Sequence, residues 1–358
     1  MPWLPDEPYN GLPSLPPPVE LETKAVLKST IEARALLARL DASAHSLPNA
    51  GVLINAIPLL EAQASSEIEN IVTTTDELFS ASHTEDPAAS PAAREALRYR
   101  TALRRGFEHV GKRPITTRTA ISVCTTLSGH DVSVRTGGVY IGDPVARRRV
   151  YTPPDQPPVL SSLLDNWSEF VNGARSLDPL VRMAVAHYQF EAIHPFTDGN
   201  GRTGRILNVL MLCADGLLNL PILYLSRHII ETKDEYYRRL NDVTAAGAWE
   251  AWVTYMLEAV RTTADRTLTL VQRIVKVEER VADLMRGVFG AVNHDLLRVL
   301  MEQPYARTRD VMERCGVSRP TATKWLKALA QSGVLLEVRA GREVLYVNIR
   351  MMGVLRSP

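Results

Sequence analysis

At the centre of this 358-residue chain stands the sequence His194-Pro195-Phe196-Thr197-Asp198-Gly199-Asn200-Gly201-Arg202-Thr203-Gly204-Arg205. An apolar, helix-like segment from Pro179 to Ile193 precedes it, and a second one from Ile206 to Leu217 follows it. The pattern predicts a polar loop that leads directly into a helix N-terminus. Such an N-terminus binds anions, because its first N–H groups have no intrahelical partner and the helix dipole is positive there.

The residue types of this loop favour a polyphosphate as the anion. Its glycines let backbone N–H groups come close to a ligand. Arg202 and Arg205 lie on one face of the first helical turn, and two guanidinium groups suit a polyphosphate better than a single carboxylate. Asp198 suggests Mg²⁺ bridging phosphate oxygens, and His194 suggests a general base for a hydroxyl nucleophile. The alternative, a glycine-rich connection that His194 merely caps, leaves the other polar residues and their fixed offsets unexplained.

The overall composition is that of an ordinary globular protein. Hydrophobic residues make up 45% and charged residues 23%, and the net charge of +1 excludes a protein that is basic throughout. Three widely separated cysteines predict reduced thiols and no metal knuckle. The acidic, Pro-rich start lacks a signal pattern, and no apolar run is long enough to span a membrane. We therefore expect a cytoplasmic protein of two or three domains.

Helical periodicity dominates the chain up to about residue 285. It predicts helices over 20–40, 52–79, 91–109, 116–127, 159–172, 179–193, 232–245 and 249–285, besides the helix after the loop. Residues 1–19 hold seven prolines and predict an extended arm on or near the body. The segment from Val132 to Pro154 combines turn formers with β-prone residues, which predicts a short β-hairpin.

The C-terminal residues have a different pattern. Glycines between 287 and 290 mark a boundary, after which three short helices and two alternating strands predict a winged helix-turn-helix. From Val292 to Arg350 there are ten Lys and Arg against six Asp and Glu, a net charge of about +4. A DNA reader would place Arg319, Lys324 and Lys327 in the major groove. A protein-docking or homodimerisation module that kept the same fold is an equal alternative.

The central loop resembles the His-Pro-Phe-x-Asp-Gly-Asn-Gly-Arg-x-x-Arg motif of Fic-domain proteins, and every fixed position is matched. The resemblance extends from the Pro-rich arm to about Leu257. It implies an all-α fold, mainly helical with a small β-hairpin flap, ahead of the predicted winged helix-turn-helix domain. It also implies an enzyme, a protein adenylyltransferase that transfers AMP from ATP to a Ser, Thr or Tyr hydroxyl of a target protein.

The resemblance assigns roles to the matched residues. His194 becomes the base that deprotonates the target hydroxyl, Phe196 anchors the loop in the core, and Asp198 orders Mg²⁺. Arg202 faces the β-phosphate and Arg205 the γ-phosphate, while Asn200 and the neighbouring glycine backbones hold the α-phosphate region. The implied nucleotide-binding set is Gly199, Asn200, Gly201, Arg202, Thr203, Gly204, Arg205 and Tyr237. The last of these matches a position near the adenosine, although a core aromatic residue would fit the pattern equally well.

The predicted hairpin occupies the place of the family's flap, around Arg135 to Gly142. There Val139, Tyr140 and Ile141 would offer an exposed strand edge that registers the target by backbone hydrogen bonds. A purely structural hairpin is the alternative, which we consider weaker because the rest of this domain is predicted to be helical.

A second segment resembles the family's inhibitory motif, Ser/Thr-x-x-x-Glu-Gly/Asn. Ser65 and Glu69 are four residues apart, on one helical face, and Asn70 follows. In that class the glutamate pairs with the second motif arginine, here Arg205, and so excludes the γ-phosphate. We expect autoinhibition within one chain. In some relatives the same glutamate also positions water that removes AMP from the target. The default alternative is a solvated glutamate on a helix surface.

These observations predict a four-part organisation: an N-terminal arm and inhibitory helical region at 1–110, a Fic catalytic core at 111–260, a connecting helix at 261–289 and a winged-helix domain at 290–358. A competing hypothesis is a DNA-binding transcriptional regulator whose Fic-like core only senses nucleotide. The complete motif favours the enzyme.

Overall fold

The computed structural model describes residues 3–45, 51–84, 90–143, 148–340 and 343–356. The tip of the predicted hairpin at 144–147 therefore lies outside the described residues. Among the helices that are described, none is both long enough and apolar enough to cross a membrane.

Helices form most of the first 290 residues, as the sequence predicts. They are α1 Lys24–His45, α2 Gly51–Ile68, α3 Thr75–Thr84, α4 Pro91–His109, α5 Thr117–Ser128, α6 Pro157–Gly173, α7 Pro179–Ile193, α8 Asn200–Ala214, α9 Leu225–Glu231, α10 Lys233–Ala246 and α11 Trp249–Phe289. The mainly helical fold class is thereby confirmed. The predicted boundary at 260/261 falls inside α11, which runs without a break from the helical body to the C-terminal domain.

The fold is built around α7, which is buried on nearly all sides. Pro179 supplies a preset first turn, and the Asp178 carboxylate caps the helix by accepting the Leu180 N–H at 2.9 Å. Two tryptophans fix its flanks, since the indole N–H of Trp167 donates to Ala186 O at 3.0 Å and that of Trp252 to Ala184 O at 2.8 Å. A helix held this way gives the loop at its C-terminus a rigid starting point.

One predicted helix proves to be two. The expected continuous block over 52–79 is broken between α2 and α3, at Asn70, whose φ of +63° is left-handed. Asparagine tolerates this conformation, and the Ile71 N–H then donates back to Ser66 O at 3.0 Å. The β-branched residues that follow disfavour another helical turn. The break leaves Glu69 immediately after the last residue of α2.

The N-terminal arm lies on the body, as predicted. The Tyr9 N–H donates to Thr152 O at 2.9 Å, and the Gln189 side chain donates to Pro13 O at 2.8 Å. Further along, the Leu15 N–H donates to the Asn166 side chain at 2.7 Å. The arm therefore ties the hairpin, α6 and α7 together.

The hairpin is shorter than its sequence pattern suggests. Strands β1 Ile141–Asp143 and β2 Arg148–Tyr151 pair antiparallel, with an irregularity after Ile141. Val139 and Tyr140 were predicted as part of the strand, but they precede it. The Tyr140 ring is 62% exposed and lies under the Arg149 guanidinium at 4.8 Å, a cation–π contact that holds the ring at the surface.

The C-terminal domain contains the predicted helices and hairpin together with two elements that the sequence pattern did not indicate. Its elements are α12 His294–Glu302, β3 Tyr305–Arg307, α13 Thr308–Cys315, α14 Arg319–Gln331, β4 Leu335–Ala340, β5 Glu343–Asn348 and α15 Ile349–Leu355. The strands form one antiparallel sheet in the order β3-β5-β4. The domain rests on α2 and α3, where Arg356 Nε donates to the Asp76 carboxylate at 2.8 Å.

Candidate active site

The central loop connects the C-terminus of α7 to the N-terminus of α8. His194 ends α7 in the left-handed conformation, with φ of +51°, and Gly199 begins α8 with φ of +80°. Phe196 is fully buried and packs against Phe190. The Asn200 side chain accepts the Phe196 N–H and donates to Phe196 O, both at 2.8 Å. In this structure the Asn200 amide shapes the loop, and its predicted part in phosphate binding stays a prediction.

His194 is held as a neutral imidazole. Its Nδ1 lies 3.3 Å from Glu191 O, a contact that favours the tautomer with the proton on Nδ1. Burial lowers the pKa of His194 to about 4, against the Glu191 contact, which raises it. The lone pair of Nε2 is therefore available for a proton at neutral pH. This is the state that a general base requires.

Arg205 is buried in an ion pair with the end of α2. It is 1% exposed, and its guanidinium donates to Ser65 Oγ at 2.8 Å, Ser65 O at 2.9 Å and Glu69 Oε1 at 2.9 Å. Burial is the largest single influence and acts against its charge, but Glu69 together with Tyr236, Tyr99 and Glu191 outweighs it and raises the pKa of Arg205 above its ordinary value. Asn70, the third residue of the predicted inhibitory motif, accepts from Lys233 Nζ at 3.3 Å.

Gly201 leaves room for this ion pair. A Cβ at that position would lie 2.7 Å from Glu69 Oε1 and 2.9 Å from Arg205 Nη1. Real Cβ atoms essentially never approach so closely, so the carboxylate could not sit there against a larger residue.

Arg202 is also bound by carboxylates, from two different elements. Its Nη1 donates to Glu95 of α4, and its Nη2 lies 3.2 Å from Asp198 Oδ1. Glu95 additionally accepts from Ser66 Oγ at 3.4 Å, which links the Arg202 pair to α2. No feature of the sequence pattern indicated Glu95, because a single glutamate on a helix is common.

A buried polar layer lies beneath α8. The Tyr236 hydroxyl is 2.9 Å from His187 Nε2, and burial lowers the pKa of His187 to about 3 and raises that of Glu191 to about 7. A Cβ on Gly204 would lie 2.5 Å from Glu191 Oε1, so a larger residue there would have to displace the Glu191 carboxyl group.

Two further members of the predicted nucleotide-binding set lie around this layer. Thr203 is fully buried and its N–H donates to Gly199 O at 2.9 Å, so in this conformation it supports the helix. Tyr237 stacks edge-on against Tyr236 and keeps 44% of its surface exposed. The predicted roles of both residues in nucleotide binding stay predictions.

Asp198 offers the chemistry that Mg²⁺ needs in a phosphate site. Its side chain is 85% exposed beside the N-terminus of α8. The described residues contain no cluster of three or more potential metal-ligating side chains. Magnesium usually takes one or two carboxylates together with substrate phosphates and water, so a single exposed carboxylate fits that donor set.

Family models match three parts of the chain. Residues 27–108 match the model described as Fic/DOC family N-terminal, and residues 116–212 match the Fic/DOC family model, together half of the chain. Residues 279–351 match the C-terminal domain described as protein adenylyltransferase SoFic-like.

Curated relatives match shorter stretches. The protein adenylyltransferases fic-1 of Caenorhabditis briggsae and Caenorhabditis elegans are each 35% identical over 127 residues, 34% of this chain and 22% of theirs. A probable protein adenylyltransferase of Aquifex aeolicus is 39% identical over 67 residues, 19% of this chain and 21% of its own. The chain thus spans about a fifth of the length of these relatives.

Solved structures share the fold. A Fic family protein from Desulfovibrio desulfuricans superposes with a TM-score of 0.60 at 22% identity, covering 92% of this chain and 98% of that one. Fic-1 of Caenorhabditis elegans, residues 134–508, gives 0.54 at 21% identity over 69% and 73% of the two chains. With the motif, both family models and this fold in agreement, the chain belongs to the Fic/DOC family.

Proposed function

We propose that this protein transfers AMP from ATP to a Ser, Thr or Tyr hydroxyl of a target protein and of itself. The observation that carries the proposal is the arrangement of one loop. A neutral imidazole follows the last residue of α7, and Arg202 and Arg205 lie in the first two turns of the next helix. The names of the curated relatives support the same activity.

In the proposed reaction, the target hydroxyl oxygen attacks the α-phosphorus of ATP. Its proton passes to His194 Nε2, the new O–P bond joins AMP to the target, and the bond to the β-phosphate oxygen breaks to release pyrophosphate. The N–H groups that begin α8 stabilise charge on the phosphates. Arg202 and Arg205 would hold the outer phosphates. Asp198 would hold Mg²⁺, which neutralises phosphate charge when it is bound.

Glu69 would regulate this activity. The guanidinium edge that Arg205 would turn to a γ-phosphate is occupied by the Glu69 carboxylate at 2.9 Å. ATP would then bind only in a pose unsuited to in-line attack. We infer autoinhibition within one chain, released when Glu69 leaves Arg205. Removal of AMP from the target by water placed at Glu69 is part of the same proposal.

The test is AMP incorporation from ATP labelled at the α-phosphate. We expect Glu69→Gly to raise self-modification by roughly 100-fold, because about 2–3 kcal/mol of competing ion-pair energy is removed. His194→Ala in the Glu69→Gly background should abolish incorporation.

Two controls make this test specific. ATP labelled only at the γ-phosphate must leave no label on the protein, because AMP carries the α-phosphate alone. Equal incorporation by wild type and Glu69→Gly would contradict autoinhibition, and label that persists after His194→Ala would contradict the assigned base.

A DNA-binding regulator is the second proposal, because three cations of α14 are exposed: Arg319, Lys324 and Lys327. Lysine and arginine on an exposed helix face bind phosphates of duplex DNA in a salt-dependent manner. The full chain should shift random duplex DNA at low salt and lose binding when all three become glutamine. A chain that fails to bind DNA at low salt would favour protein docking instead.

A further inference from the structure

The Arg135 side chain binds both the central loop and the hairpin region between residues 137 and 154, which we call the flap. It is 6% exposed, and its guanidinium donates to four carbonyl oxygens. Nε donates to His194 O at 2.7 Å, Nη1 to Gly137 O at 2.8 Å, and Nη2 to Pro154 O at 2.6 Å and Ile193 O at 3.1 Å. The Arg135 N–H donates to Pro195 O at 2.9 Å as well.

These contacts satisfy the open end of α7. The last carbonyls of a helix have no intrahelical partner and carry partial negative charge, so a cation is favourable there. Here the donors come from the hairpin region, since the Tyr151 hydroxyl of β2 also donates to Ala192 O, at 2.9 Å. The flap region is thus attached to the consecutive carbonyls of residues 192–195.

His194 needs such support because its backbone is strained. A non-glycine residue with φ of +51° lies in the left-handed region, which persists where surrounding contacts enforce it. Arg135 holds the carbonyl of His194 itself and those on either side of it. A planar guanidinium with five donors can satisfy this many acceptors at once, whereas a lysine ammonium cannot.

We propose that Arg135 is a positioning residue that makes the flap and His194 one rigid unit, so that a target segment on the flap meets the base at a set distance. This inference rests on the proposed AMP transfer. Arg135 touches neither reacting atom, and it acts through His194 and through residues 137 and 154. A displacement of about 1 Å in such a unit costs a large factor in rate, because the reacting atoms must be aligned.

The test uses the full chain with Glu69→Gly, so that activity is measurable. Arg135→Met keeps the length and removes the charge, while Arg135→Lys keeps the charge and removes most of the contacts. We expect both to lower kcat by about 100-fold and to raise KM for the target, with the Kd of a non-hydrolysable ATP analogue changed by less than about 2-fold. A matched control is Arg182→Met, which removes another buried arginine, at the opposite end of α7.

The pH profile separates positioning from folding. The charged groups that act on His194 are Arg135, Glu69 and Asp198, and only Arg135 lowers the pKa of the imidazole. Arg135→Met should therefore move the acid limb of kcat/KM to higher pH, whereas Arg135→Lys should leave it in place. Arg182→Met should leave the limb unchanged whatever it does to thermal stability.

Three results would overturn the proposal: full kcat in both Arg135 variants, equal losses in Arg182→Met, or an ATP-analogue affinity that falls in parallel with kcat. If the Glu69→Gly parent transfers no AMP, the proposed function fails, and Arg135 is then judged by NMR titration of the His194 ring and amide exchange of residues 137–141. A ring pKa and flap protection that are unchanged in Arg135→Met would reject the positioning role.

Discussion

The two ends of the central loop are held by different chemistry. At the His194 end the partners are backbone carbonyls, bound by Arg135 from the flap region. At the arginine end the partners are carboxylates, with Glu69 on Arg205 and Glu95 on Arg202. A carboxylate presents two anionic oxygens to a guanidinium much as a phosphate does, so a phosphate can replace it. The carbonyl contacts instead join the Arg135 side chain to the backbone of the loop itself.

This difference separates a permanent part of the site from an exchangeable part. We expect the base and the hairpin region to keep their geometry with or without nucleotide, whereas under the proposed function both arginines exchange a protein anion for a phosphate. The exchange is uphill because Arg205 is nearly fully buried, and a buried cation that loses its partner is strongly disfavoured. We therefore expect the energy of regulation to lie at the arginine end alone.

The largest expected contrast is with an ordinary histidine, and it tests the His194 end of the loop through the pH dependence of AMP transfer. Because burial lowers the pKa of His194 to about 4, the base stays neutral and active until the pH falls through that value. An ordinary histidine, with pKa near 6.5, would lose roughly 100-fold in kcat/KM between pH 7 and pH 4.5.

We expect Glu69→Gly to lose less than about 2-fold over that range, because removal of the Glu69 charge lowers the His194 pKa further. The measurement is kcat/KM for AMP transfer against pH. A fall of kcat/KM centred near pH 6.5 would mean that the His194 ring becomes exposed to water during turnover.

The next prediction tests the Arg205 end of the loop through the free energy of unfolding. Glu69→Gln leaves the buried Arg205 guanidinium without its carboxylate, and we expect the free energy of unfolding without nucleotide to fall by about 2 kcal/mol. This is below the range for fully buried pairs, because the Glu69 side chain is 27% exposed.

Magnesium and ATP should then stabilise the variant more than the wild type, because Arg205 is free to bind phosphate. Urea unfolding with and without nucleotide measures both quantities, with Glu67→Gln on the same helix as control. Identical nucleotide-induced shifts in Glu69→Gln and wild type would place the γ-phosphate away from Arg205.

The smallest expected effect compares two partners of Arg205, the Ser65 hydroxyl and the Glu69 carboxylate. Ser65→Ala removes the hydroxyl that accepts from Arg205 Nε at 2.8 Å but keeps the Ser65 carbonyl and Glu69 contacts. One such hydrogen bond to a charged group contributes about 1–2 kcal/mol, so the Glu69–Arg205 contact should weaken by roughly 5- to 30-fold. Self-modification should rise by less than it does in Glu69→Gly. A rise as large as that in Glu69→Gly would mean that Ser65, and not Glu69, is the main restraint on Arg205.

Local sequence signals account for the parts of the fold that could be predicted. Pro179 and the apolar run after it marked α7 to the residue, since a proline start and continuous burial leave little choice. The break after Ile68 was missed because apolar periodicity continues through it, and a left-handed Asn70 leaves no periodic signal. The strand β3 was missed because three residues form it only by pairing with β5, forty residues later in the chain.

The site divides in the same way. The resemblance to the family's inhibitory motif implied the contact between Glu69 and Arg205, which measures 2.9 Å in the structure. Arg135 and Glu95 were not predicted as site residues, because each meets the loop through tertiary packing across about 60 and 107 positions of sequence. Residues that face one another in this way share no spacing, so a single sequence cannot reveal them.

The absence of a side chain at Gly201 has a consequence for the ion pair between Glu69 and Arg205. A methyl group there would lie 2.7 Å from the present position of Glu69 Oε1, so we expect an alanine at position 201 to displace a carboxylate 132 positions away and weaken its contact with Arg205 without any change to α2. Under the proposed autoinhibition, the contact therefore depends on both sides, on the charge of Glu69 just after α2 and on the absence of a side chain at Gly201 of α8. Under that proposal, a variant at position 201 would lose part of its inhibition although its Glu69 is unchanged.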